Sequence, residues 1–351
     1  MKRKIGLLLA LCMLFSILAG CQGGGKTVSS SGGAGSGEGE SKYKIAMVTD
    51  VAGLGDQSFN DMAYNGLKLL EADYGVEITV VESTEMTQYV TNLTKLADQG
   101  YDLIIAVGAL LQDAVADAAI QRPDAHFLMV DTEAQGENVM SATYKEYEGS
   151  FLGGVAAGLM TKKNKVGFVG GMDIPPIERW RVGFEAGVKT VNPDCEVVTT
   201  YVEEFGNPTK GKQIALTQYD SGIDIIFAVA GQSGLGVIQA ASDKGEGYYV
   251  VGSDSDQNHL APKNVICSVV KRVDNSIIDA FKLFKDGKFA GGTNVQEGLS
   301  ENVMGLSDTS KTTLPDDVYQ KTEEWKQKIA SGEFKVPANQ EELDAFTPPA
   351  E

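Results

Sequence analysis

The chain has 351 residues, 42% hydrophobic and 22% charged, with a mean hydropathy of −0.11. That is ordinary globular chemistry, long enough for two domains, and it excludes a fibrous, disordered or polytopic membrane protein. Acidic residues outnumber basic ones 48 to 30, a net charge of −18, and so negative a field repels nucleic-acid phosphates and anionic lipid surfaces.

The first element in the chain is an address. Lys2-Arg3-Lys4 precedes an apolar run from Ile5 to Ala19, too short to span a bilayer comfortably but suited to a signal peptide. The run ends in Leu18-Ala19-Gly20-Cys21, small residues before a cysteine, as in a bacterial lipobox. Residues 1–20 are therefore expected to be a lipoprotein signal peptide, with cleavage before Cys21 and a lipid on its sulfur. Residues 22–41 hold eight glycines and five serines and nothing aliphatic larger than Val28. Such a stretch buries too little surface to offset its ordering entropy, so 21–42 reads as a flexible tether with a reach of roughly 25 Å. The expected location is the extracytoplasmic face of the cell membrane.

From Tyr43 onward, short apolar runs alternate with helical spacing. Strands are predicted at 44–50, 77–83, 102–108, 126–131 and 139–144, then at 165–171, 196–202, 224–231, 247–254 and 265–271. Helices fit near 178–190, 207–220 and 233–244, and a small-residue-rich helix is expected over 146–163. This alternation implies parallel sheets with right-handed crossovers. The fold class is α/β, with two doubly wound parallel-sheet lobes joined by hinge strands. Lobe 1 is expected over 43–145 and lobe 2 over 146–270, with 271–351 crossing the hinge and returning to lobe 1. The halves are weakly alike: DLIIAVGALLQDAVADAA and DIIFAVAGQSGLGVIQAA share a strand, a terminal glycine (Gly108 and Gly231) and an amphipathic helix.

In open α/β sheets, ligands sit beyond the carboxyl ends of the strands. Asp50, Gly108, Asp131, Gly171, Gly231 and Asp254 all fall there. Each aspartate can cap the following helix or face a ligand, and the sequence leaves that choice open. A carboxylate suits paired hydroxyls, because it accepts from two donors at once. Phe59 stands at the mouth of the first strand-to-helix loop, where a flat ring can stack on a flat ligand. Trp180 is its expected counterpart: Phe59 precedes Gly66 by seven residues and Trp180 precedes Gly187 by seven. Phe184, one turn later, is assigned to the core. Asp56 and Ser58 shape the first loop, and Ser58 is counted with the ligand-facing residues.

Cys195 and Cys267 lie in apolar runs and read as small core residues, with a disulfide between them left open. With two histidines and no paired His/Cys spacing, no metal or cofactor is expected. No Ser or Cys carries a nearby His, and there is no GxxxxGK[ST] loop, so neither nucleophilic catalysis nor ATP hydrolysis is expected of this chain.

VTDVAGLGDQSFN (48–60), the AVG and MVD strand ends, GGMDIPPIERWRVGFEAGVK (170–189) and VVGSDSDQ (250–257) together resemble the basic membrane protein family. Its members are nucleoside-binding lipoproteins of ABC transporters. The resemblance runs from about Lys44 to about Leu306. It implies a type I periplasmic-binding fold and a purine nucleoside ligand. It further implies that Asp254 and Lys271 hold the sugar, while Asp50, Asn60 and Asp131 approach the base or line the pocket. Relatives usually carry Phe where Trp180 stands, and two aromatics sandwich the base. The partners implied are the nucleoside, an ABC permease and, through the lipid, the membrane, with the chain itself monomeric. A sugar or autoinducer-type binding lipoprotein of the same fold, or a nucleoside-processing enzyme, stands as the alternative.

Overall fold

Two six-stranded sheets form the frame of a computed structural model that describes residues 43–349. The signal peptide, Cys21 and the tether lie outside the described residues. The first lobe is laid down by β1 (Lys44–Thr49), α1 (Phe59–Tyr74), β2 (Glu77–Val81), α2 (Tyr89–Asp98), β3 (Leu103–Val107), α3 (Gln112–Gln121), β4 (Phe127–Val130) and β5 (Val139–Tyr144). The second begins with α4 (Glu146–Met160) and continues through β6 (Lys165–Gly170), α5 (Pro175–Val191), β7 (Glu196–Tyr201), α6 (Pro208–Asp220), β8 (Ile225–Val229), α7 (Gln232–Lys244), β9 (Tyr249–Asp254) and β10 (Val265–Lys271). After these come α8 (Val273–Lys285), β11 (Thr293–Glu297), β12 (Met304–Leu306), α9 (Ser310–Thr313), α10 (Asp316–Ala330) and α11 (Gln340–Asp344).

Sheet order is β11-β5-β4-β3-β1-β2 in lobe 1 and β12-β10-β9-β8-β6-β7 in lobe 2. All pairings are parallel except β10 with β12. The central strands are apolar throughout, Leu103–Val107 and Ile225–Val229 being buried on both faces, as strands covered by helices on both sides must be.

The second lobe's core depends on glycine at one helix crossing. A Cβ on Gly154 of α4 would stand 2.1 Å from the Phe184 carbonyl oxygen, and one on Gly187 of α5 would stand 2.1 Å from that of Phe151. The backbones touch, and the Ser150 hydroxyl of α4 donates to the Trp180 carbonyl across the contact. This fixes the turn of α5 that carries Trp180.

Two expectations are corrected. First, the segment after 271 does not return as a whole to lobe 1. α8 packs on α1, and β11 extends the lobe 1 sheet beside β5. β12 then pairs antiparallel with β10, and α10 packs on α4 with the Trp325 ring 5.4 Å from that of Phe151. The C-terminal helices therefore belong to lobe 2, where Trp325 finds aromatic cover. Second, Phe59 and Trp180 do not occupy matched helix positions. Phe59 opens α1, whereas Pro175 and Pro176 start α5 early and leave Trp180 more than a turn inside it. Proline is preorganised for the first helical turn. Cys195 and Cys267 are free, buried thiols, pushed by burial up to about 11 and about 12.

Candidate functional site

The carboxyl ends of the two sheets line a cavity of about 520 Å³, part of it open to solvent. The cavity is a narrow slot with side chains close on both faces. Its walls include Asp50, Phe59, Asn60, Gly108 and Asp131 from lobe 1 and Trp180, Gly231, Asp254 and Lys271 from lobe 2. Of the sequence-predicted residues, Gly171 lies behind the wall, and so does Ser58. Its hydroxyl donates to Asp254 Oδ2 at 2.7 Å, joining the lobes. The neighbouring Gln57 carbonyl accepts from Ser255 Oγ at 2.6 Å and Gln257 Nε2 at 3.0 Å, also across the cleft. Gly171 serves the wall indirectly: a Cβ there would strike the Phe205 ring at 2.2 Å.

Asp131, just after β4, and Asp254, the last residue of β9, have a left-handed backbone, φ 86° and 63°, a conformation that costs a non-glycine residue energy and persists where the surroundings enforce it. Lys271 lies between their side chains. Its Nζ is 2.5 Å from Asp131 Oδ1 and 3.7 Å from Asp254 Oδ1, so one ammonium joins a carboxylate of each lobe. Burial alone would pull this ammonium's pKa down, but Asp131, Asp254 and Glu146 together hold it up. The same ammonium stands 4.6 Å from the centre of the Phe59 ring and 5.6 Å from that of Trp180, within cation–π range of both.

On the other side of the slot, Asn60 Nδ2 donates to Asp50 Oδ1 at 3.0 Å. That leaves Asn60 Oδ1 buried and without a partner among the described residues. Gly108 (φ 109°) lets the backbone pass Asp50, since a Cβ there would lie 3.2 Å from Asp50 Oδ2. Burial raises the pKa of Asp50 against the hydrogen bond from Asn60, and that of Asp254 against the Lys271 charge.

Asp56 holds the first loop by accepting from the backbone N–H groups of Ser58, Asn60 and Asp61. Burial still pushes its carboxyl up to about 7. The folded protein then keeps a proton that the unfolded chain releases near pH 4. Stability from this group is full below about pH 4 and is lost as pH rises to about 7, at roughly 1 kcal/mol per pH unit. Melting curves of the unliganded protein between pH 4 and 8 should show this fall. An unchanged profile in Asp56→Asn would assign the fall to other groups.

Sequence reasoning missed three parts of the site. Phe205, in the loop between β7 and α6, adds a third aromatic wall. Its signal is the run Phe205-Gly206-Asn207-Pro208, an aromatic just ahead of the helix start that Asn207 caps. Ile174 and Ile177 complete the apolar side. Glu146 and Arg179 form a buried pair behind Lys271, with Arg179 Nε 2.6 Å from Glu146 Oε2. No histidine or cysteine lines the slot, and what remains is a surface suited to binding a flat ligand rich in hydrogen-bond donors.

Residues 43–340 match the Bmp family, described as ABC transporter substrate-binding protein PnrA-like. The chain is 38% identical over 356 residues to a CD4+ T-cell-stimulating antigen of Listeria innocua, an alignment covering 96% of this chain and 99% of that one. It is 33% identical over 308 residues to basic membrane protein A of Borreliella burgdorferi, covering 86% and 90%. The solved structure of an ABC transporter system solute-binding protein from Aeropyrum pernix superposes with a TM-score of 0.78 at 30% identity, covering 86% of this chain and 96% of that one. It shares the type I periplasmic-binding fold. With its paired parallel-sheet lobes, its cleft at the strand ends and a family match over residues 43–340, the chain belongs to the Bmp family of ABC transporter substrate-binding proteins.

Proposed function

We propose that the protein captures a purine nucleoside by closure of its two lobes and delivers it to an ABC permease, without covalent chemistry. The observation that carries this reading is a thin slot with aromatic walls and a surplus of carboxylates. Phe59, Trp180 and Phe205 offer apolar faces to a base, and each stacked base is worth about 1–3 kcal/mol. Asp131 and Asp254 can accept from ribose hydroxyls, and Asn60 Oδ1 can accept from a base N–H. A phosphate in the same place would meet Asp50, Asp131 and Asp254 with only Lys271 to offset them, which favours nucleosides over nucleotides. Closure is hinge motion about the crossings near 145, 272 and 300.

Guanosine, inosine or adenosine should raise the melting temperature of the domain, by about 2.7 kcal/mol of stabilisation at a hundredfold its dissociation constant. Ribose should not. A clear shift with a sugar and none with any nucleoside would overturn the reading in favour of a sugar-binding relative.

The lipid on Cys21 is part of the proposal. No helix among the described residues is long and apolar enough to cross a membrane, and in this reading the lipid provides the attachment. Cys21→Ala should bind nucleoside normally but leave the membrane fraction; recovery with membranes after normal cleavage counts against the lipoprotein assignment.

A further inference from the structure

We infer that Glu146, which forms no part of the slot's surface, is the positioning residue that fixes the Lys271 ammonium and the turn bearing Trp180 for ligand capture. The inference deepens the nucleoside reading of the same slot and rests on it. Glu146 is the first residue of α4, directly after the chain crosses from lobe 1, and its side chain is fully buried. Arg179 grips it with two N–H groups, Nε to Oε2 at 2.6 Å and Nη2 to Oε1 at 3.1 Å. Arg179 immediately precedes Trp180 on α5, so this pair ties the aromatic wall to the hinge. Glu146 Oε1 also lies 4.0 Å from Lys271 Nζ, at the second crossing of the hinge.

A lysine ammonium on its flexible four-carbon stem does not hold a position by itself. Here carboxylates stand on three sides of it: Asp131 from lobe 1, Asp254 from lobe 2 and Glu146 from behind. The first two line the slot, where ligand hydroxyls compete for them. Glu146 is outside that competition. When a ligand engages Asp131 and Asp254, Glu146 is the carboxylate that stays with Lys271 and keeps it between the Phe59 and Trp180 rings.

The test is a mutant cycle on the intact protein with guanosine as titrant in a calorimeter. Glu146→Gln should lower affinity by roughly 10- to 100-fold, the range for a lost interaction with a buried charge. In a Lys271→Met background the same change should cost clearly less, because the share of its effect that passes through Lys271 is already gone and only the share carried by Arg179 remains. Equal losses in both backgrounds overturn the inference. A second arm needs no ligand: the rate of amine labelling at Lys271, read by peptide mass spectrometry. Removing the Glu146 charge should speed labelling by up to about tenfold for each unit the ammonium's pKa falls. An unchanged rate also overturns the inference. If the wild type does not bind guanosine, the nucleoside reading fails and the labelling arm alone decides on Glu146. It decides as well if Lys271→Met binds too weakly to titrate. Should Glu146→Gln fail to fold because Arg179 is left uncompensated, Glu146→Gln/Arg179→Met replaces it in both arms.

Discussion

Phe59→Ala should lower guanosine affinity of the folded protein by roughly 5- to 150-fold, the equivalent of one lost stacking partner at about 1–3 kcal/mol. Its ring opens α1 at the slot and is only half-buried, so unfolding should shift little. Trp180→Ala should cost as much affinity and more stability. The indole is 1% exposed and packs against the Phe227 ring at 5.6 Å, so its removal leaves a cavity as well as an open wall. Large-to-small changes of that kind cost about 3–5 kcal/mol. Phe184→Ala is the contrasting control. Its ring lies fully buried, 5.1 Å from Phe227, and forms no part of the slot. It should lose stability on the same scale while the folded fraction binds normally. Calorimetry showing Phe184→Ala unable to bind and Trp180→Ala unaffected would reassign the wall.

Gly154→Ala should be among the most damaging single-methyl additions in the chain. The new methyl would meet the Phe184 carbonyl oxygen at 2.1 Å and the Val188 amide nitrogen at 2.9 Å, both backbone atoms that no rotamer change can clear. Overpacking of this kind costs about 3 kcal/mol or more. Gly305→Ala in β12, where nothing lies within 4 Å of the added carbon, should stay within about 0.5 kcal/mol. Denaturant unfolding of the two variants compares them directly. Because α5 also carries Trp180, Gly154→Ala should weaken binding even in the protein that remains folded; unimpaired affinity there would show that the helix crossing does not set the wall.

Much of this architecture was legible because parallel sheets leave strong marks. Runs such as Leu103–Val107 are apolar in every position, and the residue after such a strand must face the open end of the sheet. That is why the sequence alone points Asp50, Gly108, Asp131, Gly231 and Asp254 to one cleft. β11 was not legible: Thr293–Glu297 is polar and largely exposed, an edge strand held by backbone pairing to β5. β12 has three residues, too few for any periodicity. Phe205 escaped for a different reason. The run Phe205-Gly206-Asn207-Pro208 marks a helix start, but the ring's place at the slot is set by glycines at 171 and 231 that leave room for it, a tertiary fact. Glu146 and Arg179 looked like ordinary helix charges, since Glu146 opens α4 where an acid also favours the helix dipole. Burial distinguishes them, and burial on that face depends on α4 meeting α5.

The late crossings have a consequence for how the chain comes together. Neither lobe is a continuous piece of sequence. The first acquires its outermost strand only when 293–297 arrives, and the second only when 304–306 pairs with β10. A nascent or translocating chain that has delivered everything up to Gly292 still presents two sheets with unpaired borders, and the helix that covers α4 is yet to come. Completion of one half therefore waits on the other, and native pairings span long stretches of sequence, a topology that slows acquisition of structure. Such a delay is compatible with passage through a membrane as an unstructured thread, with both halves locking into place once the C-terminal sixth of the polypeptide is through.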